Sequence, residues 1–361
     1  MLKNILPRKF KKRSMKVLQH FIQIFALVLV ANFSLANSDS AIYNSIFDQM
    51  NYQEMLQVDL KLDMEEVFGN RRNEDKHPAV LSFNDQAGVA QTWNIKVALR
   101  GKFRRTRCDN LAPLKLYFDK DDLFDAGLAK FNDLKLVNQC MDDSKDLKQL
   151  LVREYLAYKL YNQITDESFR VQFLKINYVD QQTGKSKVQY GFVIEDTAQL
   201  RARINVLKIE KQYNIRQEKY NQDQVKLMSV FQYMIGNPDW SLDRNHNVKI
   251  FLQEDKLIAI PYDFDFSGIV DAPYVLLNQE LGIVTQKERV FLGFETHAAD
   301  LSKEFDIFSN KRSLLIQTVK DCQTLKGRNR RGMVKFINSF FDETDIFRLP
   351  LQKNKVPTPG E

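Results

Sequence analysis

The sequence predicts a two-lobed α+β protein, with a β-rich N-terminal half followed by a mainly helical C-terminal half. Three observations predict it. Apolar residues alternate with polar ones at period two through most of the chain up to residue 194. Helical spacing takes over beyond residue 197, and a β-hairpin set among the helical stretches carries the densest run of polar residues in apolar surroundings. The chain is long enough for a well-buried core, since 44% of its 361 residues are apolar, and its 13 glycines and 9 prolines leave no room for a long flexible linker.

The elements follow in order. Leu56, Val58, Leu60, Leu62 and Met64 alternate with polar neighbours, the period of a strand with one wet face. Segments 79–83, 93–99, 114–118 and 134–137 read the same way, with Asn, Asp and Gly between them. A helix is predicted over 146–163, where Leu147, Leu150, Leu151, Tyr155, Tyr158 and Leu160 recur at three and four. Strands over 171–178 and 188–194 flank a turn at 180–184 and predict a hairpin. The clearest later helix is 222–235; strands over 248–252 and 257–260 follow, and the remainder to Phe341 is expected to be helical.

The charge is unevenly placed. Of 53 Lys and Arg against 46 Asp and Glu, the surplus of seven is Lys3, Arg8, Lys9, Lys11, Lys12, Arg13 and Lys16. These precede an apolar run over 21–31 and the small residues Ser34 and Ala36, the layout of a cleaved secretory leader. The apolar run is shorter than the roughly 20 residues a bilayer span needs. Residues 1–36 therefore read as a leader, 37–195 as the β-rich lobe with one inserted helix, 196–345 as the mainly helical lobe carrying the polar motif, and 346–361 as a flexible tail. The mature chain is expected to be exported, periplasmic or secreted, with no stable membrane span. Its balanced charge argues against nucleic acid as a partner. Three cysteines in an oxidising compartment leave one unpaired; Cys108 with Cys140 is the favoured bridge, closing a loop worth about 3–4 kcal/mol.

The polar run is Gly236-Asn237-Pro238-Asp239-Trp240-Ser241-Leu242-Asp243-Arg244-Asn245-His246-Asn247, followed after two strands by Asp263-Phe264-Asp265-Phe266-Ser267-Gly268. Taken singly, either piece reads as turn and cap residues. Together they place carboxylate and carboxamide oxygens around apolar Ile258, Ile260, Phe264 and Phe266, where an unpaired carboxylate is costly. Such donors suit a hard cation, Mg²⁺ or Mn²⁺, that leaves its other positions to phosphates. An acidic loop, a hairpin, then Asp beside Phe and Gly is the order protein kinases use for phosphoryl transfer. That chemistry also needs a strand lysine for the phosphates of ATP and a helix glutamate to hold it. Lys115 and Lys135 are candidates for the first and Glu154 for the second, while Arg100, Lys102, Arg104, Arg105 and Arg107 form a cation run that either covers phosphates or is a solvated face.

These residues carry a resemblance. The ordered set Arg100-Gly101, residues 113–118 around Lys115, residues 153–158 around Glu154, Tyr190-Gly191-Phe192-Val193-Ile194-Glu195, His246-Asn247 and Pro261-Tyr262-Asp263-Phe264-Asp265 resembles the spore coat protein H (CotH) family of atypical secreted kinases, nearest an exported bacterial branch. The resemblance covers roughly residues 95–270. It implies an atypical kinase-like fold, ATP as co-substrate, and a protein or cell-envelope acceptor. It further implies Asp263 as metal ligand with Asp265 supporting it, Asn247 as a second ligand, Asp239 as catalytic-loop acid, Lys115 as phosphate lysine, and Glu195 near the nucleotide base. Asp239 lies eight residues before Asn247 and Asp243 four, against about five in protein kinases, so both stand as candidate catalytic acids.

Other classes have less behind them. No Gly-x-Ser-x-Gly is present, and beyond the leader only His77, His246 and His297 remain, too few for a zinc centre or a typical hydrolase. A glycosidase built on Glu195, Asp239, Asp263 and Asp265 lacks the tryptophans sugar sites favour. The competing reading from another class is an inactive binding module of the cell envelope whose acidic motif holds a structural divalent cation. Arg328, Arg330 and Arg331 read as a solvated helix face.

Overall fold

A computed structural model describes residues 44–72, 74–101, 111–139 and 145–343. The leader, Lys102, Arg104, Arg105 and Arg107 of the cation run, Cys108, Cys140 and the tail lie outside the described residues. Cys322 is a free, buried thiol.

The elements in chain order are α1 (Ile46–Met50), β1 (Met55–Leu62), α2 (Met64–Phe68), β2 (His77–Asn84), β3 (Ala90–Leu99), β4 (Leu114–Phe118), α3 (Lys120–Asp125), β5 (Asp133–Asn138), α4 (Lys145–Ile164), β6 (Val171–Asp180), β7 (Ser186–Ile194), α5 (Thr197–Arg203), β8 (Leu207–Lys208), α6 (Gln222–Met234), β9 (Val248–Gln253), β10 (Lys256–Pro261), α7 (Ser302–Asp321) and α8 (Gly327–Asp342). The first seven strands close into a barrel of order β1-β2-β3-β4-β5-β7-β6. Closure comes from β6 lying parallel to β1 over Met55↔Phe173 to Leu62↔Asp180; the other pairings are antiparallel.

This closed, mixed, seven-stranded barrel with its helices outside overturns the two-lobed kinase-like expectation with a helical C-terminal lobe. Alternation reports which face of a strand is buried, but not which distant strand will satisfy its outer edge. Here β1 and β6, more than a hundred residues apart, satisfy each other and remove the edges an open sheet would leave. The chain after the barrel adds a second sheet, β10-β9-β8, to its helices. The expectation of helix to Phe341 also fails over residues 262–301, which hold only two 3₁₀ turns; Gly268, Pro273, Gly282 and Gly293 interrupt it.

Alternation along each strand sorts the side chains between two cores. Leu60, Leu81, Val97, Leu116, Leu136, Ile176 and Val193 fill the barrel. Phe173, Phe192 and Val137 face outward and pack with Tyr158 and Tyr161 of α4, Phe231 of α6, Phe264, and Phe308 and Phe340 of the last two helices. Barrel wall and later helices thus share one continuous core. A third, smaller cluster joins Trp240 and Leu242 to Val248, Ile250 and Ala259 of the second sheet. Among the described residues no helix is long and apolar enough to cross a membrane.

Gly191 shows how tightly the wall is drawn. It pairs with Asn138 across β5 and β7, and a Cβ there would sit 2.9 Å from the Val137 carbonyl and 3.0 Å from Ile176 and Leu136 methyls. Gly191→Ala is expected to destabilise the fold by about 1–3 kcal/mol, read as a lower urea midpoint at unchanged slope; an unchanged midpoint would mean the wall can give way.

Candidate functional site

The site is built by the register of one hairpin. β9 and β10 pair from Lys256↔Gln253 to Pro261↔Val248, and the ladder runs one step further as the Tyr262 N–H donates to the Asn247 carbonyl at 3.0 Å. That step sets the end of the polar loop against the start of the acidic segment. The loop is shaped locally: buried Asn237 accepts the Asp239 N–H at 3.1 Å and donates to Gln232, and Ser241 and His246 exchange both backbone hydrogen bonds around a tight turn. Gly236, at φ +61°, passes the chain from α6 into the loop, and its carbonyl accepts the Gly268 N–H at 2.8 Å.

Asp239, His246, Asn247, Asp263 and Asp265 line one cavity of about 370 Å³ together with Arg100. Its back wall is the outer face of the barrel, through Pro113, Val137 and Ile194. Asp239 is held on both oxygens: Oδ1 by His246 Nε2 at 2.9 Å and Oδ2 by Asn247 Nδ2 at 2.9 Å. The same amide also donates to the Asp239 carbonyl at 2.8 Å, and the Asn247 side-chain oxygen accepts no hydrogen bond from the described residues. Asp263 sits at φ +64°, a left-handed backbone that Asp and Asn tolerate better than most side chains and that is often retained where function requires it. Its N–H donates to the Tyr158 hydroxyl at 2.8 Å, which ties the acidic segment to α4. Burial, then the charges of Asp263 and Glu154, holds the Tyr158 phenol far above its usual range, so it stays protonated. Asp265 is buried at 4% exposure and receives the Tyr274 hydroxyl at 3.4 Å.

The cations gather beside this cavity. Lys115 and Lys135 are cross-strand partners on β4 and β5. Lys115 forms an ion pair with Asp133 at 2.9 Å; burial works against its charge, and the hydrogen bond and charge of Asp133 outweigh it, so its pKa is raised. Half-buried Lys135 donates to Thr197 at 3.2 Å, and burial, then the neighbouring charges of Lys249 and Arg100, brings its ammonium down to about 7. Burial also depresses Lys249, with Lys115 and Arg100 adding to the effect. Lys249 lines a second cavity of about 600 Å³ with Asp133, Thr197 and Lys208, and Tyr262 lines both cavities.

The structure therefore brings together Asp239, Asn247, Asp263, Asp265 and Arg100 and keeps others apart. Asp243 is exposed at the turn and lines no part of the cavity, although its carbonyl accepts the Asn214 N–H at 3.0 Å. Neither Lys115 nor Lys135 meets Glu154, which is buried on α4 one turn before Tyr158. Glu195 is fully buried, with Oε1 accepting from Arg203 at 2.7 Å and from the Arg170 N–H at 2.8 Å, and Oε2 from Arg170 Nε at 2.9 Å. Its carboxylate is consumed in that arrangement. Lys249 and Tyr158 were not singled out by sequence reasoning. A signal existed for Tyr158, which lies four residues beyond Glu154 on one helix face.

Among the described residues no three His, Cys, Asp or Glu side chains group closely enough to hold a metal by themselves. The donors that do share the cavity, Asp263, Asp265 and the Asn247 amide oxygen, are hard oxygens of the kind Mg²⁺ accepts when phosphates and water complete its shell. No protein-family model matches the chain, and no curated protein is significantly similar to it.

Two outcomes follow from the charges. The unfolded chain keeps Lys135 protonated up to its ordinary value near 10.5, while the folded chain releases that proton near 7. Unfolding then takes up a proton between these limits, so the Lys135 contribution to stability rises as pH climbs from about 7 to about 10. The wild type is expected to gain stability over Lys135→Met across that window in paired urea titrations; parallel pH profiles would show an unperturbed lysine. Glu195→Ala is expected to cost about 3–5 kcal/mol by stranding the Arg170 and Arg203 charges, whereas a nucleotide-contact role predicts normal stability with altered nucleotide affinity.

Proposed function

We propose that the chain is a CotH-like, ATP-dependent phosphotransferase acting outside the cytoplasm on a protein or cell-envelope acceptor. The observation that carries it is the sharing of one cavity by the oxygens of Asp239, Asn247, Asp263 and Asp265, bordered by Arg100 and, beyond Tyr262, by Lys249. The reading rests on this site and on the sequence resemblance, not on the barrel.

In this reading Asp263 and Asp265 hold the divalent ion, Mg²⁺ or Mn²⁺, with the Asn247 amide oxygen as a further ligand. The ion supplies charge neutralisation at the phosphates. Arg100 and the Lys115, Lys135 and Lys249 cluster hold the anionic phosphates and oppose the charge that builds on the leaving ADP. Asp239, fixed by Asn247 and hydrogen-bonded to His246, accepts the proton of the acceptor hydroxyl. That hydroxyl oxygen forms the new bond to the terminal phosphorus as the bridging P–O bond to ADP breaks. Full occupation of both Asp239 oxygens favours a second reading, an inactive binding module whose acidic motif holds a structural cation.

Thermal unfolding separates the two. Mg²⁺ with ATP at about 100 times its Kd is expected to stabilise the phosphotransferase by about 2.7 kcal/mol. Asp263→Asn, which keeps a side chain tolerant of the left-handed backbone, should remove that gain. Stabilisation by Mg²⁺ alone, untouched by ATP, would instead support the binding module. Asp239→Asn should leave the ATP-dependent rise in place and reduce transfer of labelled γ-phosphate to an envelope extract by about 10²–10⁴-fold.

A further inference from the structure

The acidic segment has two sides. Residues 263–266 line the cavity described above, while Gly268, Ile269 and Asp271 line a separate groove of about 830 Å³ against α8. Six cations border that groove, Arg153, Lys287, Arg289, Lys326, Arg328 and Lys335, against two carboxylates, Asp271 and Glu343, a surplus of four. Both carboxylates are already used, Asp271 by Lys287 at 3.0 Å and Glu343 by Arg289 at 2.5 Å. Lys326, Arg328 and Lys335 are exposed and have no carboxylate partner among the described residues. Outside the seven leader cations the chain carries equal numbers of basic and acidic residues, so this concentration is local, not a reflection of overall charge.

The groove also has shape. Arg328, Gly332, Lys335 and Ser339 fall on one face of α8, and the two small residues recess it between the cations; a Cβ on Gly332 would meet nothing within 4 Å. The floor is apolar: Ile269, Met333 and Phe336, the last with the Arg289 guanidinium 4.2 Å from its ring centre. Basic rims over an apolar floor suit a chain bearing both carboxylates and apolar side chains. A phosphate polymer or a sugar acid offers nothing to the floor.

The groove is joined firmly to the site. A Cβ at Gly268 would lie 2.4 Å from the Gln286 carbonyl and 3.1 Å from the Phe336 ring, so only glycine lets the acidic segment seat against the groove wall. Gly268 follows Asp263 by five residues, which bounds their separation at about 17 Å, the reach of about five residues of extended peptide.

We propose that this groove docks an acidic polypeptide segment, and that a protein so docked presents a hydroxyl within a few residues of its acidic stretch to the neighbouring cavity. The second half rests on the phosphotransferase reading; the docking does not. The probe is a fluorescein-labelled peptide of alternating Glu and Leu with one central Ser, followed by fluorescence anisotropy on the full chain. Binding is expected at low salt and should weaken as salt rises. The combined Lys326→Glu, Arg328→Glu, Lys335→Glu variant should bind about tenfold more weakly or worse. Gly332→Phe, which fills the recess without changing charge, should also weaken binding, and Lys185→Glu on a remote turn should not. Undiminished binding by the triple variant, no binding by the wild type, or tighter binding of polyphosphate or phosphatidylglycerol vesicles than of the peptide overturns the proposal. Asp263→Asn should bind the peptide normally while losing the ATP-dependent stabilisation; peptide docking by a wild type that gains no stability from Mg²⁺ and ATP would count against the catalytic reading alone.

Discussion

The hydrogen bond from the Tyr262 N–H to the Asn247 carbonyl governs the site. It is the last rung of the β9–β10 ladder, and it decides which side chains of two separate polar segments face each other. A slip of one residue would turn Asp263 away from Asn247 and send the alternating apolar residues Ile258 and Ile260 off the core. The core therefore enforces the register, and the register places the oxygens. The Tyr158 hydroxyl then fixes the same segment from the other side, through the N–H of a residue whose backbone is left-handed.

Charge is separated across a short distance. Carboxylates collect on the hairpin side, while Lys115, Lys135 and Lys249 collect along the barrel wall and β9, with Asp133 and Asp196 beside them and Arg100 reaching toward the hairpin acids. A cluster in which burial and mutual repulsion depress two lysines is an unfavourable arrangement for the isolated protein. An anion among these lysines would relieve it, and that is one support for the phosphate-bearing ligand proposed above. By contrast, the Glu195 cluster is already neutralised: Arg170 and Arg203 satisfy the buried carboxylate, Arg170 reaches on to Asp48 at 2.9 Å, and this joins α1, β6 and α5 at the barrel's end.

Most individual elements were legible. The strands at 114–118 and 171–178, the helix on α4 and the hairpin bearing the acidic segment follow from side-chain period, because one buried face imposes it. The site's acidic half was legible for a related reason: carboxylates flanked by Phe264, Phe266 and Ile260 need compensation wherever the chain folds. The choice between Asp239 and Asp243 was not, since both spacings straddle the usual one and only the turn geometry exposes Asp243. The role drawn for Glu195 failed to foresee its two arginine partners, which come from the residue just before β6 and from α5 and carry no local signature.

The amino-acid order by itself determined the type of most of the longer elements, the hairpin over 171–194 and the identity of the oxygen donors, because these depend on periodicity and side-chain chemistry within short stretches. The tertiary structure alone decided that the sheet closes, through β1 and β6, and that the lysines of the wall stand beside the acids of the hairpin without meeting Glu154. Closure and convergence are set by contacts between residues a hundred or more apart. Their energies depend on which surfaces are left to bury, and no local pattern encodes that.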